Sequence, residues 1–181
     1  MGVMLANTPV LETDRLILRA PAHGDFEVWD GFAQSDRAKY IGGPYSEKQA
    51  WRGFGHAIGH WIMHGWGSFV FTLKGDDKPL GMTGPWFPKG WPEKEIGWTI
   101  WHDDLEGTGL MFEAAARARD YAFEDLGWDT AVSYVDRPNV RSANLARRLG
   151  AVEDPNAELM ELDNDDVEVI VFRHPNPKVT L

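Results

Sequence analysis

EIGWTIWHDDLEGTGLM, residues 95–111, carries a strand pattern into the head of a helix. The apolar and aromatic alternation ends near His102, and Glu106-Gly107-Thr108-Gly109-Leu110-Met111 follows. Glycines at 107 and 109 let the backbone approach a ligand closely and turn free amides outward. A helix starting there adds the positive end of its dipole, which suits a pyrophosphate. A glycine-rich turn that merely caps a helix reads the same way, so the loop needs its context. Residues 107–126 form the longest helical pattern, with Met111, Ala114, Ala115, Ala118 and Ala122 along one side. TAVSYVD (130–136) is a short apolar strand. Pro138-Asn139 breaks it, and a helix over 140–149 follows, stopped by Gly150. Strand, helix, strand, helix in this order is an α/β unit.

Working outward, LETDRLILRA (11–20) alternates as one strand with Leu16 and Leu18 on the same face. Asp25 is placed to cap a short helix toward Ala33. Ser46 and Gln49 have capping-box spacing and open a helix to about His64. Strands are expected over 66–73, 79–87 and 93–102, the first two joined as a hairpin by the Gly75-Asp76-Asp77-Lys78 turn. Strands near 158–162 and 167–173 finish the chain. No repeat, low-complexity block or linker divides it, so residues 1–181 read as a single domain with a core over about 9–174 and short terminal tails.

Composition narrows the function classes. Against 28 Asp and Glu stand 18 Lys and Arg, a formal net charge of −10. Phosphate-rich partners need clustered cations, so no nucleic acid and no anionic membrane surface is expected. A cationic substrate fits that charge better. Cysteine is absent, which removes disulfides, thiolate metal sites and a cysteine nucleophile. The opening MGVMLA lacks the basic and long apolar regions of a signal peptide, and no apolar run approaches a membrane span. A cytoplasmic location is the expectation.

Together these motifs resemble the GCN5-related N-acetyltransferase (GNAT) superfamily. The residues carrying the likeness are EIGW, GTG, FEAA with YAFEDLG, SYVD, N-x-x-S at Asn139 and Ser142, and RRLGA. LETDRLILRAP is similar to the first strand of its RimJ/RimL-like subgroup, the ribosomal-protein N-terminal acetyltransferases. The resemblance implies a single-domain α/β fold: a mixed, twisted sheet of about seven strands flanked by about four helices. That sheet would splay between its fourth and fifth strands, here Glu93–His102 and Thr130–Asp136. Acetyl-CoA would lie in the V as co-substrate, its pantetheine on the backbone of Thr99, Ile100 and Trp101. Its pyrophosphate would sit on the amides of Gly107, Thr108, Gly109, Leu110 and Met111, with Asn139 and Ser142 facing its sulfur. The superfamily loop is usually Q/R-x-x-G-x-G/A; here Glu106 takes the Gln/Arg position and Met111 the small one. A carboxylate beside a pyrophosphate repels it unless it points away.

Acetylating an amine requires a neutral nucleophile, hence a proton acceptor, and donors for the developing oxyanion. With no cysteine, a cysteinyl acyl-enzyme is excluded, and direct attack of the amine on the thioester is the reading consistent with composition. Glu95 is the first candidate base and Asp136, ending the next strand, the second. Ser142 is the candidate to protonate the departing thiolate or orient the thioester. His56, His60 and His64 recur at i, i+4 and i+8, which reads as a polar helix face near the acceptor cleft. The spacing lacks an HExxH motif and a well-placed third ligand, so no metal is expected. Eight acids and no base lie between Glu153 and Glu168, a run that would steer a cationic acceptor if it bordered the site. The leading function is an acetyl-CoA-dependent N-acetyltransferase acting on a protein N-terminal α-amine or a small cationic amine. Its rival is a non-catalytic acyl-CoA-binding or interaction domain on the same fold. Exposed tryptophans among the nine would favour a homodimer.

Overall fold

The computed structural model describes residues 5–160 and 168–177. The N-terminal part supplies β1 (Leu11–Glu12), β2 (Leu16–Arg19), α1 (Phe26–Ala33), α2 (Glu47–His64), β3 (Phe69–Leu73), β4 (Gly81–Trp86) and β5 (Glu95–Ile100). There follow α3 (Leu110–Glu124), β6 (Val132–Asp136), α4 (Val140–Arg148), β7 (Val152–Glu153) and β8 (Val169–Arg173). Short 3-10 turns occupy His23–Asp25, Asp36–Ile41 and Asp103–Leu105. Eight strands form one sheet in the order β1-β2-β3-β4-β5-β6-β8-β7.

Pairing explains how the sheet opens. Every neighbouring pair is antiparallel except β5 and β6, which run parallel and share one rung, Glu95 opposite Val132. By contrast β4 and β5 stay paired over six positions, from Gly81–Ile100 to Trp86–Glu95. Beyond the single rung the parallel strands diverge. These are the strands expected to splay; they are the fifth and sixth because the stretch 11–20 is two strands.

That split corrects the reading of LETDRLILRA as one strand. Thr13 turns the chain back: its N–H donates to Leu16 O (3.1 Å) and its Oγ1 accepts from Leu16 N–H (2.9 Å). Leu11 then pairs with Leu18, and Glu12 with Ile17. Glu113 of α3 holds the turn from 100 residues away, accepting from Thr13 Oγ1 (2.5 Å) and Arg15 Nε (2.6 Å). Asp25 does not cap α1 through its side chain. Its carboxylate instead takes both guanidinium nitrogens of Arg19 and the N–H of Ala22, each at 2.7 Å. The strand expected at 158–162 is also corrected. Residues 158–160 have no regular structure and 161–162 lie outside the described residues, while β7, six residues earlier, pairs with β8.

Both faces of the sheet are covered. Leu16, Leu18, Phe69 and Phe71 pack on one side against Ala114, Ala118 and Tyr121 of α3, whose alanines let the helix lie close. Alternate residues Val70 and Met82 meet Trp29, Phe32 and Phe54 of α1 and α2 on the other. The capping box of α2 forms as its sequence predicts: Gln49 Oε1 accepts from Ser46 N–H (2.9 Å) while Ser46 Oγ accepts from Gln49 N–H (3.4 Å). Gly81 lets β4 approach its neighbours; a Cβ there would stand 2.3 Å from Thr99 O and 2.7 Å from the Phe71 ring. No described helix is long and apolar enough to cross a membrane.

Candidate functional site

Where β5 and β6 part, a side chain replaces the next backbone rung. Ser133 Oγ–H donates to Ile96 O at 2.6 Å, and His174 Nε2–H donates to the same hydroxyl at 2.9 Å. Beyond this bridge opens a cleft of about 700 Å³. One wall is Trp98, Thr99 and Ile100, continuing through Leu105, Glu106, Gly107 and Gly109 to Met111 and Phe112. The other is the start of α4, with Pro138, Asn139, Val140, Arg141 and Ser142. Phe32 and the 3-10 turn at Asp36–Ile41 close the mouth.

Strand alternation decides which backbone groups the cleft receives. Ile96 O faces β6, whereas Trp101 N–H donates to Leu80 O on the β4 side (2.9 Å). Trp98 and Ile100 therefore turn their backbone groups to the open edge, and Thr99 turns its own away. Thr99 remains on the cleft wall, where its Oγ1 accepts from Trp101 Nε1 (3.0 Å). Arg37 takes two carbonyls at the end of this edge, donating to Trp101 O (2.7 Å) and Ile100 O (3.0 Å).

The glycine loop behaves as its composition demands. Gly107 and Gly109 have φ of +79° and +83°, left-handed values that favour glycine, and a Cβ at Gly107 would meet nothing within 4 Å. The first amide to bond back within α3 is that of Glu113, to Gly109 O (3.1 Å). The amides of Met111 and Phe112 are left as open first-turn donors, while Leu110 N–H reaches Thr108 Oγ1 (3.5 Å). Such an N-terminus fits a phosphate group. Glu106, the charge that would oppose one, is engaged on both oxygens: Oε1 accepts from Arg37 (3.0 Å), and Oε2 pairs with Arg141.

Asn139 caps α4, its Oδ1 accepting from Ser142 N–H (3.2 Å). Ser142 Oγ accepts from Trp98 Nε1 across the cleft at 3.2 Å. With one lone pair so occupied, its hydroxyl proton is free to donate. Glu95 sits at the closed end on the single rung. Its Oε2 accepts from Trp91 Nε1 (2.7 Å), yet burial dominates and pushes its pKa up to about 7. Asp136, half-buried at the end of β6, is likewise raised by burial. Of the residues expected from sequence, Thr99, Ile100, Gly107, Gly109, Met111, Asn139 and Ser142 line the cleft together. Trp101 is buried against Trp29, Thr108 and Leu110 lie behind the loop, and Glu95 and Asp136 are set back from the lining.

Sequence reasoning missed Arg37, Tyr40, Phe112 and Arg141. Ser35 and Gly42 bound the 3-10 turn that carries Arg37 and Tyr40, Ser35 capping it and Gly42 ending it in a left-handed conformation. They signal a turn, but not where it docks. The histidine reading is also revised. His60 is buried: Nε2 accepts from Phe87 N–H (3.0 Å), Nδ1–H donates to Trp66 O (3.1 Å), and Trp86 stacks on the ring. Burial, with His64 and His56 nearby, lowers its pKa to about 4. Among the described residues no group of three or more His, Cys, Asp or Glu could hold a metal ion. In the acidic run Glu153, Asp154 and Glu168 are paired with Arg147, Arg173 and Arg137. Glu161, Asp163, Asp165 and Asp166 lie outside the described residues.

The family model for the acetyltransferase (GNAT) domain matches residues 15–152. An acetyltransferase structure from Agrobacterium tumefaciens is 35% identical, with a TM-score of 0.85 over 97% of this chain and 99% of that one. The RimL ribosomal L7/L12 α-N-protein acetyltransferase in complex with coenzyme A is 14% identical, with a TM-score of 0.72 over 92% of this chain and 97% of that one. A ribosomal-protein-S5-alanine acetyltransferase from Vibrio fischeri is 16% identical, with a TM-score of 0.66 over 93% of this chain and 97% of that one.

Proposed function

The chain belongs to the GNAT acetyltransferase domain family and is an acetyl-CoA-dependent transferase; from that premise we propose that its acceptor is a primary amine, foremost the N-terminal α-amine of a protein. The observation that carries this reading is Glu95, a carboxyl set just behind the closed end of the cleft with its pKa pushed to about 7. A carboxyl at that value is ionised in about half of the molecules near neutral pH, and that ionised form takes a proton from an ammonium acceptor. The likeness of LETDRLILRAP to the first strand of the RimJ/RimL-like ribosomal-protein N-terminal acetyltransferases supports a peptide terminus over other amines.

Bound acetyl-CoA supplies an activated thioester. The open first-turn amides of α3 hold its phosphates, and the open-edge backbone groups of Trp98 with the N–H of Ile100 align its pantetheine arm. Glu95, directly or through a water, deprotonates the entering amine. The Trp98 N–H on the open edge stabilises the oxyanion as the amine attacks. Ser142, already oriented by Trp98 Nε1, donates its hydroxyl proton toward the departing thiolate. The new bond is N–C, the broken bond is C–S, and the amine proton leaves through Glu95. No acyl-enzyme is involved.

The test is a mass-shift screen with acetyl-CoA against peptides differing in their first residue, beside lysine side-chain peptides, polyamines and other small amines. A gain of one acetyl group on peptide α-amines is expected. Acetylation confined to small amines would move the acceptor to the cationic metabolites, and CoA binding without turnover across the panel would remove the amine reading.

A further inference from the structure

Glu106 occupies the loop immediately ahead of the open amides, where a carboxylate opposes a phosphate. Its surroundings are specific. Arg37 arrives from the 3-10 turn at Asp36–Ile41, fixed by the carbonyls of Ile100 and Trp101, and donates to Oε1. Arg141 arrives from the first turn of α4, on the opposite wall, and pairs with Oε2. The two cations thus meet one carboxylate across the mouth of the cleft. Their exposures differ: the Arg37 and Glu106 side chains are about three-quarters buried, while that of Arg141 is 82% exposed. Arg37 is therefore anchored by the protein, and Arg141 is held in the mouth by Glu106.

We infer that Arg37 and Arg141 are counter-ions for the phosphates of CoA, and that Glu106 is an internal stand-in which those phosphates displace. This rests on the proposal that CoA occupies the cleft. Each guanidinium gives Glu106 one nitrogen, and a phosphate oxygen accepts the same charge-assisted N–H bond as a carboxylate oxygen, so one anion can replace the other without moving the anchored Arg37. Before exchange, the carboxylate prevents two like charges from facing each other across the mouth. Afterwards the phosphates take over its partners. Lys39 and Arg148 also line the cleft, with Asp36 as the other carboxylate there. The stand-in therefore sits in a locally basic mouth on a chain whose net charge is −10.

The stand-in makes affinity depend on phosphate in a way that mutation can read. Calorimetry on the full chain would compare CoA with pantetheine, which shares the arm and lacks phosphate. Glu106→Gln removes the competing anion and should tighten CoA binding by about tenfold. It should leave pantetheine unchanged, lower the melting temperature of the unliganded protein, and lose its advantage in high salt. Arg141→Gln should weaken CoA by about tenfold and leave pantetheine unchanged. Arg141 is exposed, so this variant carries the test alone if Glu106→Gln does not fold. Equal or weaker CoA binding by folded Glu106→Gln, unchanged CoA binding by Arg141→Gln, or parallel changes with pantetheine would each overturn the inference. Wild-type protein that binds no CoA would instead overturn the cofactor reading beneath it.

Discussion

Glu95 shows how much one residue's surroundings add to its identity. Its place in EIGW marks a strand, but only the structure supplies the burial that holds its proton to about pH 7 and the Trp91 N–H that orients it. Glu95→Gln should lower kcat/KM by about 10² to 10⁴ and remove the limb of the pH–rate profile that rises through about 7. Folding gives an independent check. Because the folded pKa lies above the ordinary 4.5, the folded state binds the extra proton between those values. Its contribution to stability is complete below about 4.5 and is lost as pH rises toward 7. Thermal denaturation should therefore show Glu95→Gln gaining on the wild type between pH 4.5 and pH 8. A lost rate limb without that gain would assign the limb to another group. At this scale the candidate base and Ser142 were legible because each lies inside a motif. Arg37 was not, since its partners are 63, 64 and 69 residues away and no local pattern encodes such reach.

Among the elements, β4 depends most on the absence of a side chain. Gly81→Ala would drive a methyl group into Thr99 O and the Phe71 ring, and the Thr99 carbonyl belongs to β5, the strand that walls the cleft. A loss of about 1–3 kcal/mol is expected in denaturant unfolding. Gly55 is the contrast: it lies inside α2 with nothing within 4 Å of a built Cβ, and Gly55→Ala should raise stability by about 0.5–1 kcal/mol. If both substitutions cost the same, close approach is not the reason for Gly81. Element boundaries also show where a sequence stops informing. The α2 capping box and the Asn139 cap of α4 are local chemistry and read correctly. The break at Thr13–Arg15 does not, because period-2 alternation runs through it while Glu113 holds the turn from α3. The 3-10 turn over Asp36–Ile41 has visible caps, yet its position over the cleft is set by long-range bonds to β5.

Across the whole molecule, pH stability follows from groups that face each other over long sequence distances. His60 and His174 are buried and have pKa values lowered to about 4, chiefly by burial. His174 keeps its Nε2–H on Ser133, and its Nδ1 has no partner among the described residues. In both cases the unfolded chain takes up a proton first, so stability complete above about pH 6.5 is lost as pH falls toward 4. Glu95 acts in the opposite sense between 4.5 and 7, and two histidines outweigh one carboxyl. The melting temperature should therefore fall as pH drops from 6.5 to 4, with a steeper fall in Glu95→Gln. A flat profile in the variant would mean that neither imidazole is held neutral. The net charge of −10 foretold none of this. It did limit the classes of partner, but three of the acids expected to steer an acceptor are neutralised by arginines in the fold.

The single parallel rung between Glu95 and Val132 has a mechanical meaning. It divides the sheet into two stiff jaws, one paired continuously from β1 to β5 and the other from β6 through β8 to β7. Between them the strands share one backbone rung, the Ser133–Ile96 contact and the bond of Tyr134 N–H to the Glu95 carboxylate, so the joint is held largely by side chains where the arms are held by backbone ladders. The gape between the jaws can then be retuned by the bulk of a few side chains at the hinge, with every antiparallel register left intact. One scaffold can in this way present clefts of different width on the same set of strands.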